Sequence, residues 1–272
     1  MSIKKNRSIV STLGIPGILL FIWAGGNWFA LFILAVMILA LFEYYQIAKL
    51  KQIQPIVWIG LLASFLIAYF YYYQPNIEII YVLSIIIAFI ITVLFIELFR
   101  KKPNPTENFN ITVGGILYVP LLLGTLIGIR NFDTAHATNF TFGLFISIWI
   151  CDSAAYIAGK KFGKKKIYPR ASPNKTVVGS VAGLIFAFIT YIVMDKIGFI
   201  THDHLSITQI TILSIISGIF GQTGDFAESL FKRDAGVKDS GALLLGHGGV
   251  LDRFDSLIIA SPLVYIFLNI YF

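Results

Sequence analysis

Hydrophobic positions in this chain fall in long unbroken runs, separated by short polar breaks. A helix that crosses a bilayer needs about 20 apolar residues. Nine runs of about that length occur, at roughly 8–25, 27–47, 55–73, 77–99, 110–129, 140–159, 177–197, 206–231 and 250–271. The breaks are Gly25-Gly26-Asn27, Lys49-Leu50-Lys51-Gln52, Gln74-Pro75-Asn76, Arg100 to Pro105, Arg130 to Asn139, Lys160 to Lys175, Gly198 to Leu205, and Lys232 to Gly249. The pattern predicts an all-α polytopic membrane protein with about nine transmembrane helices.

Charge adds an orientation. With the N-terminus in the cytoplasm, all of the 21 Lys and Arg residues except Arg130 and Lys196 fall on the cytoplasmic side. The positive-inside rule therefore predicts a cytoplasmic N-terminus and an outside C-terminus. The first run follows Lys4, Lys5 and Arg7 as a signal peptide would. It lacks a small-x-small cleavage site and is expected to be a retained span. Composition agrees with a membrane protein: 57% of residues are hydrophobic, 13% are charged and mean hydropathy is +0.81, against about 25% charged in soluble domains. The net charge of +7 is no nucleic-acid signal, because the bases sit in short loops between apolar runs. Cys151 is the single cysteine, which excludes an intrachain disulfide and a cysteine metal site. The chain reads as one membrane domain over 1–272. Residues 1–109 form flanking spans, and 110–272 form catalytic spans with cytoplasmic loops 160–176 and 232–250. Small residues four apart, Gly124/Gly128, Ala155/Gly159 and Gly179/Gly183, predict close helix packing in that second part. Glu43 and Glu97 lie near cytoplasmic span ends and are expected to pair with nearby bases.

The densest chemistry lies between Gly224 and Asp255, where six of the chain's 14 acids are interleaved with bases and glycine. Helical spacing places Asp225, Glu228, Ser229 and Lys232 on one stripe. Carboxylates inside a membrane helix are costly unless paired or metal-bound. Asp152 poses the same question near the cytoplasmic end of the sixth run. Asp252 and Asp255, three apart, begin the last run. Helix C-termini favour cations and N-termini favour anions. Asp152 and Asp225 thus sit where a metal ion is welcome. The seventh and ninth runs start after Ser172-Pro173-Asn174-Lys175-Thr176 and Gly246-His247-Gly248-Gly249, both suited to phosphate. Hard oxygen ligands fit Mg²⁺. Together these features describe a nucleotide or diphosphate site at the cytoplasmic face. The basic loop Lys160 to Lys166 serves both as a topology signal and as an attractant for nucleotide or anionic lipid.

Ser229-x-x-Lys232-Arg233-x4-Lys238-Asp239-x-Gly241, followed by His247-Gly248-Gly249-x-x-Asp252-Arg253-x-Asp255, resembles the signature of the phosphatidate cytidylyltransferases. Asp152-Ser153-Ala154-Ala155-Tyr156, Phe162-Gly163-Lys164 and Ser172-Pro173-x-Lys175-Thr176 are also similar to it. The resemblance runs from about residue 145 to the end. Two positions depart from the pattern: Leu245 stands where the family has Pro, and Val178 where it has Glu. The resemblance implies transfer of CMP from CTP to phosphatidic acid with Mg²⁺, in an all-helical homodimer. It implies catalytic roles for Asp225, Asp252, Lys232 and Arg253. It places nucleotide and phosphate contacts at Ser172, Lys175, Thr176, Ser229, Arg233, Lys238, Asp239, His247, Gly248 and Gly249. Metal ligands carry over to Asp225 and Asp252, with Asp152, Glu228 and Asp255 as secondary candidates and a second, monovalent cation such as K⁺. A bacterial plasma-membrane location follows.

Two other readings compete. A CTP-dependent polyprenol or phytol kinase would move the γ-phosphate onto a lipid alcohol and so would need a base. A cation-coupled transporter would bind near the midplane between related halves, whereas here the charges crowd one face and no repeat is visible.

Overall fold

The computed structural model describes residues 14–74, 79–132, 136–201, 204–241 and 248–272, apart from the side chains of Ile79 and Val82. His247 and Leu245 lie outside the described residues. Helices occupy α1 (Gly14–Ala24), α2 (Gly26–Leu50), α3 (Val57–Tyr73), α4 (Ile79–Arg100), α5 (Pro105–Ile116), α6 (Leu122–Arg130), α7 (Ala137–Phe162), α8 (Val177–Lys196), α9 (Ile207–Ile215), α10 (Gly221–Asp234) and α11 (Leu251–Tyr271). A π-helical turn at Leu117–Leu121 joins α5 to α6, and another at Ile216–Phe220 joins α9 to α10. Each pair is therefore one continuous span, Pro105–Arg130 and Ile207–Asp234. Pro120, which carries no amide hydrogen, lies inside the first π turn.

Among the described residues, every predicted run is helical, and seven helices are long and apolar enough to cross a membrane. The described part of α1 and the whole of α3 are shorter apolar helices. The 17 residues of α3 rise about 26 Å, just under a hydrocarbon core of about 30 Å. The all-α membrane architecture expected from the hydropathy pattern is what the chain forms.

The chain folds as two compact units, Met1–Asn131 with Ala235–Asp252, and Phe132–Asp234 with Arg253–Phe272. In the first, α2, α3 and α5 meet around Tyr45. Its ring is fully buried and its hydroxyl donates to the Thr112 carbonyl at 2.8 Å. A Cβ at Gly60 or Gly115 would run into that ring. Glu97 accepts from Asn108 Nδ2 at 2.8 Å and pairs with Arg100 at 3.2 Å, the base-pairing expected for it. Arg130, one of the two exceptions to the charge rule, donates from Nε to the Ile22 carbonyl at 2.8 Å. Its guanidinium thus serves the last carbonyls of α1.

In the second unit α7 and α8 approach closely, as their small residues predict. A Cβ on Gly183 would lie 2.9 Å from Cys151 Sγ, and one on Gly179 would lie 2.6 Å from the Ala155 carbonyl oxygen. Thr176 caps α8 by accepting the Gly179 amide at 3.2 Å.

Candidate active site

In the second unit α10 is an inverted amphipathic helix. Gln222, Glu228, Ser229 and Lys232 are buried and Asp225 is half-buried, while Phe231 is exposed. The stripe read from the spacing therefore turns into the protein. Lys232 forms an ion pair with Glu228 one turn earlier, and only 1% of Glu228 is exposed. A charge this deep in a membrane protein is tolerated because it is paired. Ser229 Oγ donates to Asp225 Oδ1 at 3.3 Å. Lys175 forms an ion pair with Asp225 Oδ2, and its ammonium stands 4.5 Å from the centre of the Phe226 ring.

The backbone explains how Lys175 is held. Ile167 donates to the Lys175 carbonyl at 3.2 Å, and Val177 donates to the Lys165 carbonyl at 3.0 Å. These bonds surround an isolated antiparallel bridge between Lys166 and Thr176. The basic loop is thereby pinned to the segment that carries Lys175 and caps α8. Ser172, half-buried, donates its amide to Tyr168 in the turn between them. Asp152 and Asp255 both lie within electrostatic reach of Asp225 and of Lys175. Asp255 is buried and accepts the Ser256 amide at 2.6 Å. Gly224 lies against the Asp255 backbone, so closely that a Cβ there would strike the Asp255 carbonyl. Arg233 and Arg253 are exposed.

The first unit, taken by itself, holds a separate set of the predicted residues. Asp252, in the first turn of α11, accepts at Oδ2 from the amides of Gly249 (2.7 Å) and Ser240 (3.1 Å), and Ser240 Oγ lies 3.1 Å away. Gly248 has φ +81°, and a Cβ there would meet Asp252 Oδ2. The two glycines thus make room for carboxylates. The Gly249 amide, expected to face phosphate, is directed to Asp252 instead. Lys238 and Asp239 are exposed beside this turn. Behind it lies Glu43 of α2, 2% exposed. Its carboxylate accepts from Val250 N (3.0 Å), Leu251 N (2.8 Å) and Ser240 Oγ (2.9 Å). The partners expected for Glu43 were nearby bases. It binds backbone amides about 200 residues away instead, because a buried helix N-terminus must satisfy its open N–H groups.

Among the described residues no three of His, Cys, Asp and Glu converge to form a metal cage. Mg²⁺ asks for less than a cage, since it keeps several waters and takes one or two carboxylates together with substrate phosphate. The hard oxygens of Asp225, already facing a cation in Lys175, are of that kind.

Residues 5–271 match the family model described as the cytidylyltransferase family. The chain belongs to the cytidylyltransferase family. It is 32% identical to the phosphatidate cytidylyltransferase of Bacillus subtilis over 269 residues, 98% of each chain. Over 124 residues, 46% of each chain, it is 49% identical to the phosphatidate cytidylyltransferase of Staphylococcus haemolyticus. The corresponding protein of Staphylococcus aureus is 43% identical over 124 residues. For a cytidylyltransferase, two residues emerge here to which sequence reasoning gave no part in the site. One is Glu43. The other is Gln222, which donates to the Ser180 carbonyl at 3.2 Å and to the Gly218 carbonyl, tying α10 to α8 one turn before Asp225. A glutamine inside an apolar run was the signal available for it.

Proposed function

We propose that this chain transfers CMP from CTP to phosphatidic acid, giving CDP-diacylglycerol and pyrophosphate. The reading rests on similarity to a phosphatidate cytidylyltransferase over 98% of both chains. In the reaction a phosphate oxygen of phosphatidic acid bonds to the α-phosphorus of CTP. The bond from that phosphorus to the bridging oxygen breaks, and its electron pair leaves on pyrophosphate. The nucleophile is already an anion, so no strong base is needed. The barrier is repulsion between two anions and the cost of aligning them.

The chain supplies charge and position. Lys175 brings its ammonium to the CTP phosphates, and Ser229 orients the carboxylate of Asp225. Lys232, oriented by Glu228, joins Arg253 as a catalytic cation. Arg233 and Lys238 hold phosphate oxygens. Ser172, Thr176, Asp239, His247 and Gly248 complete the nucleotide pocket. Asp225 and Asp252 would hold Mg²⁺, with Asp152, Glu228 and Asp255 as further acids and a monovalent cation such as K⁺ as a second ion. When bound, Mg²⁺ supplies charge neutralisation on the triphosphate. The protein works as a homodimer in the bacterial plasma membrane, with its site open to the cytoplasm.

The test is an assay in detergent with CTP, phosphatidic acid and titrated Mg²⁺. Labelled cytidine entering lipid supports the proposal. Label from the γ-phosphate entering lipid overturns it in favour of a lipid-alcohol kinase.

A further inference from the structure

We infer that Glu43 is a positioning residue for the cytidylyl transfer, acting through Ser240 and the first turn of α11 to fix the side chain of Asp252. The inference rests on the function proposed above. Glu43 sits on α2, in the flanking part of the chain, far in sequence from the motif between Ser229 and Asp255. It is nevertheless built into the motif's backbone. One carboxylate oxygen takes the Val250 amide, and the other takes the Leu251 amide and lies 2.9 Å from Ser240 Oγ. The same Ser240 presents its amide and hydroxyl to Asp252 Oδ2, both at 3.1 Å. Gly249 adds a third donor at 2.7 Å. Ser240 has one hydroxyl proton and two carboxylates within reach, so the acids on either side of it are linked. A Cβ at Gly241 would lie 2.6 Å from Glu43 Oε1, and one at Gly249 would collide with Ser240 and Glu43. Gly241 and Gly249 thus lie directly against this carboxylate.

Burial decides what the residue is for. An exposed acid could exchange protein partners for water, but Glu43 is 2% exposed. Its charge is stabilised by amides at the start of a helix, where the dipole favours an anion. Removing it leaves those donors buried and unpaired, and the turn must shift to reach other acceptors. The group carried by that turn is Asp252. Partners behind a metal-binding carboxylate typically change metal affinity or activity by about 10–100-fold when lost.

The test compares wild type with Glu43→Gln, which keeps the shape but turns one acceptor into a donor facing one of the two amides, Val250 or Leu251. Two readouts are taken. In metal-free protein in detergent, amide hydrogen exchange at Ser240, Val250 and Leu251 should speed up by about tenfold or more. In the assay, the Mg²⁺ concentration for half-maximal transfer should rise by about tenfold, with the KM for phosphatidic acid unchanged. Ser240→Ala should shift the Mg²⁺ dependence in the same direction while leaving the Val250 and Leu251 amides protected. It also serves as the readout where Glu43→Gln does not fold. Faster exchange with an unchanged Mg²⁺ profile would reduce Glu43 to a structural residue and overturn the inference, as would unchanged exchange. Failure of wild type to move labelled cytidine would overturn the function itself. The exchange experiment still reports on the Glu43 contacts in that case.

Discussion

Lys175 and Asp225 carry the electrostatics of the second unit. Asp152 and Asp255 both feel the charge of Asp225, and Lys175 is the base that offsets them. Asp225→Asn removes the partner of Lys175 and a hard oxygen charge, and Asp252→Asn does the latter in the first unit. Each should lower CMP transfer by about 100-fold or more, with an unchanged elution profile in detergent. Exposed Lys49 is the control, and Lys49→Ala should change the rate by less than about twofold. Full activity of both Asn variants would remove the acids from the mechanism. Asp225, Glu228, Ser229 and Lys232 were legible in the sequence because helical spacing puts them on one face and lipid makes charge conspicuous. Glu43 was read as an interfacial acid awaiting a base. Nothing local to it points to amides at 250 and 251, since periodicity reports neighbours within a helix and not long-range hydrogen bonds.

Helices set how close these groups come. At Gly224, α10 lies against the backbone of α11, with no room for a side-chain carbon. Gly224→Ala should cost about 1–3 kcal/mol of stability by overpacking, read as a lower unfolding temperature in detergent. An unchanged temperature would mean that the helices separate freely there. Element boundaries were legible to within a few residues, as Val177–Lys196 shows against the expected 177–197. So was the packing of Gly179 and Gly183, because small residues four apart form a flat strip. The π turns at Leu117–Leu121 and Ile216–Phe220 were not. A single widened turn leaves the hydropathy of a run unchanged.

For the whole molecule, the charge rule proposes a cytoplasmic N-terminus and an outside C-terminus. Arg130 weakens the case against it, because its guanidinium is engaged by the Ile22 carbonyl. With Cys151→Ala as background, a membrane-impermeant thiol reagent on intact cells should label Lys196→Cys and leave Lys164→Cys unlabelled; the opposite pattern would invert the topology. The division into two compact units was not legible, because residues 235–252 return to the first unit after four intervening helices. The inward polar face of α10 has a consequence during synthesis. Ile207–Asp234 has a hydropathy of 1.2, the lowest of the seven long spans among the described residues, and its polar residues lower the gain from entering lipid. Such a segment leaves the translocon readily only if a polar surface is waiting for it. The α7–α8 hairpin is made earlier by the ribosome and offers the Ser180 carbonyl to Gln222, so an acceptor for this face is already present when α10 emerges.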